Sequence, residues 1–332
     1  MVRKVLVALA ILTLIPISTT TSTAAPSKVK IGVIYDVGGR GDDSINDATA
    51  VGVAAAKKKL GLSDLDVREL VTSGTSFDRE NRIEFLVKAD YDLVIGVGSS
   101  FNEPMTYMSE KYPESQFAII GSAGVESLNV SCMNFRGDQS AYLAGVMAAL
   151  NSKSKKIGYL GDTANLANDV MSRNFTAGAK SVVAKIKTFN TSSDASLGAE
   201  VKALSSQGVD VIFTTWSRNG TIISAISSSK KSMKLIGVKP EQFFLSSKAA
   251  RKILIGYVNQ RFDLAIGDLF AAAVAEKTIT EIVDSKRGVF GRNYSLVNGA
   301  VDLQAAGANP ASISAVSRAK AAFLAKKLTA VK

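Results

Sequence analysis

The stretch DVGGRGDDSINDA, Asp36–Ala48, gathers the side chains of this sequence best suited to chemistry. Asp36, Asp42 and Asp43 could together offer oxygen ligands to a hard cation such as Ca²⁺. The spacing of a calcium loop and its terminal glutamate are absent, so capping of a helix by Asp43 or Ser44 is the stronger reading. The glycines suggest a dinucleotide loop, but Ser44 stands at the third glycine position, and Asp42 and Asp43 would repel a pyrophosphate. Arg40-Gly41-Asp42 lacks any context for adhesion. What remains is a strand-to-helix loop in which Asp36, Asp43 and Asn46 are candidates to touch a small solute.

Two other loops invite the same question. GVGSSFNEPM places Ser99 and Ser100 after a buried strand, but without the Gly-x-Ser-x-Gly form of a nucleophile turn. Hydrogen bonding to a ligand by Ser99, beside Phe101, and capping before Asn102 fit equally well. Trp216, the sole tryptophan, follows the strand-like VDVIFTT. Its indole can stack on a planar ligand or plug an interlobe surface, and the sequence leaves both open. The chain contains no histidine, which removes imidazole bases, His-based triads and His-ligated metals. Cys132 is the single cysteine, so no intrachain disulfide forms, and VSCMNF reads as a buried run rather than a nucleophile site. The sequence therefore predicts a binding protein, not an enzyme, with no cofactor and no resident metal.

The elements that position these loops alternate regularly. KVKIGVIY, DVREL, YDLVIGVG, QFAIIG and SCMNF read as strands, separated by helical stretches at 44–60, 78–88 and 102–111. KIGYLGD, AKIKTFN, VDVIFTTW and MKLIGV form a second series, with helices near 168–183, 197–207 and 221–229. YSLVNGAVDL and a helix over 310–327 close the chain. Continuous apolar runs suit strands covered on both faces, as in parallel sheets. The reading is α/β, with two lobes joined near Asn134–Arg136 and again near Val238–Pro240. The predicted partition is a first lobe of 28–134 plus 239–290 and a second of 135–238 plus 291–328. Ligands of open parallel sheets bind at the carboxyl ends of the strands, so two facing lobes would bring these loops together around a cleft.

The N-terminus has the organisation of an export signal: basic residues, an apolar run over 5–17, then STTTSTAA, with cleavage expected after Ala24 or Ala25. That run is short of the roughly 20 apolar residues of a membrane span. The protein is expected to be exported, to the periplasm or cell surface. Loss of Arg3 and Lys4 takes the formal charge from +11 to +9. The basic residues are dispersed, with short clusters at Lys57–Lys59 and Lys153–Lys156, which argues for a solvated surface, weak peripheral attraction to an anionic membrane and no nucleic-acid partner.

From Lys28 to Leu303 the chain resembles the basic membrane protein family of solute receptors, the purine-nucleoside-receptor-like binding proteins of ABC transport. GDDSINDATAVGV, YDLVIGVGSSF, YPESQFAIIG, FTAGAKS, GVDVIFTTW and KLIGVKPEQ follow the family order, and the run Phe135–Gly145 is the most specific piece. The resemblance implies a two-lobed periplasmic binding protein (type I) fold, each lobe a parallel sheet flanked by helices. It also implies an ABC permease and its ATPase as partners, and a monomer that closes on its solute by hinge motion. A sensing module docking on a membrane receptor is the alternative. In the family an aromatic stacks where Ile45 stands here, and acids occupy the positions of Gly121 and Lys239. A family lysine corresponds to Gln260, whereas Asp36, Asn46 and Phe213 keep family-like positions. These departures, with Lys239 and Arg218 expected to face the cleft, point to a nucleoside-like or diverged solute, anionic or carbonyl-rich.

Overall fold

The computed structural model describes residues 29–42, 45–161, 166–191, 196–215, 219–229, 232–238, 248–277, 283–284 and 289–331. The expected export signal and the candidates Asp43, Trp216, Arg218 and Lys239 lie outside the described residues. Among those described are strands β1 (Ile31–Tyr35), β2 (Val67–Val71), β3 (Leu93–Val97), β4 (Phe117–Ile120) and β5 (Val130–Phe135). They are followed by β6 (Lys156–Leu160), β7 (Lys187–Asn190), β8 (Val211–Thr214), β9 (Lys234–Val238) and β10 (Leu254–Gln260). The last are β11 (Val283–Asp284), β12 (Val289–Tyr294) and β13 (Val301–Ala305).

Two sheets result, in the orders β11-β12-β5-β4-β3-β1-β2 and β13-β10-β9-β8-β6-β7. Pairing is parallel except at β11/β12 and β10/β13, each at the edge of its sheet. β1, β3 and β4 are buried at every position, which is why their runs are apolar throughout rather than alternating. Helices Ile45–Leu60 and Phe262–Val274 cover one face of the first sheet, and Ser76–Lys88 and Asn102–Lys111 the other. The second sheet lies between Gly137–Asn151, Leu166–Val182 and Pro310–Leu324 on one side and Leu197–Ser206 and Asn219–Ser228 on the other.

Helix Gly137–Asn151 is buried continuously from Gln139 to Ala149, so it lacks the polar stripe by which amphipathic helices are read. It packs against Leu166–Val182 so closely that a Cβ at Gly145 would lie 2.0 Å from the Phe175 carbonyl oxygen, and one at Gly178 1.9 Å from that of Tyr142. Only glycine fits such backbone contact.

The sheet memberships correct the expected partition. Residues 239–290 do not all return to the first lobe, because β10 pairs with β9 in the second sheet. The chain crosses back only after Gln260, with helix Phe262–Val274 joining the core of the first lobe. The expected closing strand YSLVNGAVDL is likewise divided. Tyr294 ends β12 in the first sheet beside β5, and β13 begins at Val301 in the second. Three crossovers therefore link the lobes: 135–137, 260–262 and 294–301. The third ties the other two together, since Arg136 N–H donates to the Tyr294 carbonyl at 2.8 Å and Arg261 N–H to that of Ala300 at 2.8 Å.

Candidate functional site

The carboxyl ends of the strands face one another across a cleft, and a cavity of about 200 Å³ lies between the lobes. Its described lining is Ile45 and Phe262 from the first lobe, and Ser140, Met171, Phe213, Thr215, Val238, Val258 and Gln260, with Gly137, from the second. None of these side chains is ionisable.

On the first lobe, the Ile45 side chain starts helix Ile45–Leu60 and leans on Gly121, at the end of β4. Gly121 has φ +83, and a Cβ built there would lie 2.8 Å from Ile45 Cδ1 and 3.9 Å from Phe262 Cε1. Phe262 is held in turn by Phe135, ring centroids 4.5 Å apart, and Phe135 stacks on Tyr294 at 4.8 Å. One aromatic group thus connects the cavity wall to all three crossovers. On the second lobe Phe213 packs between Tyr159 and Phe175, with centroids 5.8 and 5.6 Å away. The Tyr159 hydroxyl donates to Asn168 Oδ1 at 3.0 Å, and the Thr215 hydroxyl donates to the same oxygen at 3.1 Å. Burial pushes the Tyr159 phenol above its ordinary pKa, which keeps it a neutral donor.

Of the sequence candidates, Ile45 and Phe213 line the cavity. Ser99 is exposed in the short turn Ser99–Phe101. Three others are held by contacts within the first lobe. The Asp36 carboxylate takes two bonds from the Arg79 guanidinium, at 2.6 and 3.2 Å, and one from the Ser100 hydroxyl at 2.5 Å. Asn46 is 1% exposed; its carboxamide accepts from Asp36 N–H and donates to the Asp36 and Val37 carbonyls, closing the loop before the helix. Phe101 is fully buried in the core, beneath the Arg79 guanidinium at 5.6 Å. Asp42 accepts from the N–H groups of Asn46 and Asp47, and no group of three potential metal-ligating side chains occurs among the described residues. Cys132 is buried, with its thiol pKa raised by desolvation, as its apolar sequence context predicts.

The cavity residues not anticipated are Ser140, Met171, Thr215, Val238, Val258 and Phe262. Thr215, Val238 and Val258 lie at or next to strand carboxyl ends, and Phe262 one residue past a crossover, so they were readable only once the sheet order was known.

Comparison with known proteins agrees with this architecture. The Bmp family model, ABC transporter substrate-binding protein PnrA-like, matches residues 28–267. The chain belongs to this family. It is thus an ABC transporter solute-binding protein, of a binding-protein family and not an enzyme family. The Bmp relative "ABC transporter nucleoside-binding protein BmpA" of Lactococcus lactis is 28% identical, over 93% of this chain and 91% of its own length. An uncharacterized lipoprotein of Pyrococcus abyssi is 36% identical over a shorter region, 44% of this chain and 38% of that protein. Among solved structures, an ABC solute-binding protein from Aeropyrum pernix superposes with TM-score 0.71 at 18% identity, covering 91% of this chain and 93% of that one. That likeness carries the two-lobed periplasmic binding protein fold. As a Bmp protein the chain has a solute and a permease as its partners.

Proposed function

We propose that this Bmp protein captures a small, uncharged, nucleoside-like solute in the interlobe cavity, closes on it by rotation about the three crossovers, and presents it outside the cytoplasm to an ABC permease and its ATPase. The observation that carries the reading is the cavity itself. Both lobes contribute to it, no ionisable side chain lines it among the described residues, and its aromatic groups are Phe213 and Phe262. The relative BmpA, with its nucleoside-binding name, supports a heterocyclic solute. Phe213 and Phe262, 1% and 6% exposed, contribute apolar wall to such a solute.

The crossovers suit hinge motion. Arg136 and Arg261 precede helices Gly137–Asn151 and Phe262–Val274, and each pairs with an aspartate two residues on, Asp138 at 2.6 Å and Asp263 at 2.7 Å. Their guanidinium charges are therefore balanced locally and do not project an unpaired charge into the cleft. Isothermal titration with inosine, adenosine, inosine monophosphate and glucose tests the proposal. A neutral nucleoside binding at least tenfold tighter than the phosphate ester and the sugar is expected; preference for the phosphorylated compound would overturn it.

A further inference from the structure

Basic residues that are dispersed along the sequence converge in the second lobe. Strands β6 to β10 run parallel, so their amino ends form one edge, opposite the carboxyl ends that face the cleft. Lys156 and Lys187 begin β6 and β7 and are Cα partners, and Lys234 begins β9 beside the first residue of β8. Lys153, Lys155 and Lys185 stand exposed in the turns leading into β6 and β7. The acid of this edge is Asp210, whose carboxylate accepts from the Ser152 hydroxyl at 2.6 Å and from the N–H groups of Lys153 and Ser154 at 2.8 Å. The Lys156 and Lys234 ammonium groups donate to the Gln207 and Lys252 carbonyls, at 2.8 and 2.6 Å. None of these lysines forms an ion pair among the described residues. The attraction of helix carboxyl ends for cations does not account for the set. In the first lobe the helix-end lysines meet acids: Lys57 pairs with Asp64, and Lys88 and Lys111 both pair with Glu84. The second-lobe edge lacks such partners, and like charges on neighbouring strands, about 4.8 Å apart, repel each other.

We propose that this edge of the second lobe is a docking face for an anionic lipid bilayer. The charges extend over the starts of β7, β6, β8 and β9, three strand steps or roughly 15 Å, which is too wide for one small anion and wide enough to meet several headgroups. They are lysines, point charges that attract phosphate without the fixed fork of arginine, as suits a mobile surface with no single geometry. The permease that receives the solute lies in a bilayer, and confinement to an anionic leaflet concentrates the protein near that partner. The face is at the far end of the lobe from the cleft, so contact with lipid competes with neither solute binding nor closure, whichever solute is bound. Being electrostatic, the contact is weakened by salt and reversible, which lets the protein lift off and present its cleft.

Co-sedimentation of the purified protein with phosphatidylcholine vesicles, with and without a third of phosphatidylglycerol, tests the proposal. Binding to the anionic vesicles alone is expected, falling about tenfold from low to physiological salt. Lys185→Glu combined with Lys187→Glu should weaken low-salt binding by about tenfold or more. Lys58→Glu combined with Lys59→Glu makes the same charge change on exposed residues of the first lobe and should leave binding within about threefold of wild type. Lys155→Gln, a milder change that guards against a fold defect in the second-lobe pair, should weaken binding about threefold. Equal binding to both kinds of vesicle, binding to neither, or an equal loss in the two charge-reversed pairs overturns the proposal. Binding of soluble polyphosphate without binding of the anionic vesicles overturns it as well.

Discussion

Replacing Gly121 with alanine probes the first-lobe wall at the point where backbone and cavity meet. Two costs are expected. At φ +83 an L side chain is strained, which costs about 1–2 kcal/mol. The added Cβ also lies 2.8 Å from Ile45 Cδ1, the far end of a side chain that lines the cavity. Gly121→Ala should therefore lower the unfolding free energy by about 1.5–3 kcal/mol and weaken inosine binding about tenfold. Ile45→Val removes Cδ1 and alone should cost about 0.5–1.5 kcal/mol. In the double variant the steric part disappears while the strain at 121 remains. The cycle should show a coupling of about 0.5–1 kcal/mol in favour of the double variant, with binding restored to within about threefold of wild type. Urea unfolding and isothermal titration on the four proteins measure both quantities. Additivity in stability and in binding would refute the claim that these two residues share one wall.

Asp36→Asn tests the assignment of that carboxylate to architecture. Arg79, 8% exposed, loses its charged partner, so stability should fall by about 1–3 kcal/mol while solute affinity changes less than threefold; a large affinity loss at unchanged stability would return Asp36 to the binding site. Acid sensitivity should centre in part on Asp78, whose carboxylate accepts from Ser73 N–H, Arg82 and the Thr72 hydroxyl and is held at a pKa of about 2. A carboxylate depressed in the folded state stabilises above its unfolded value near 3.8 and loses that contribution as pH falls toward 2. Urea midpoints measured from pH 7 down to 2 should therefore drop less steeply for Asp78→Asn than for wild type, from a lower starting value. Gln260→Lys would place a cation at the cavity rim and should shift preference from inosine toward inosine monophosphate, read by the ratio of their dissociation constants.

The fold was legible where local pattern and tertiary role coincide. The doubly buried strands β1, β3, β4 and β8 declared themselves as continuous apolar runs, and helix Asn102–Lys111 has the bounds its sequence predicts. The crossovers were not legible beyond Asn134–Arg136, because β10 and β12 trade sheets without any glycine- or proline-rich linker to mark the change. At the site, residue type alone could not show that Asp36 and Asn46 are bonded to Arg79, Ser100 and backbone groups, or that Phe101 sits in the core. Ile45 and Phe213, singled out through the family resemblance, are the two candidates that line the cavity. Thr215 was missed since a threonine just past a strand carries no signal until the sheet order brings it to the cavity.

The central claim is that an uncharged, nucleoside-like solute is enclosed between the lobes. Native mass spectrometry of the purified protein, followed by identification of what unfolding releases, tests it most directly. One neutral heterocycle, bound one to one, is the predicted result; a phosphate ester, a carboxylate or a cationic amine released in its place would contradict the account.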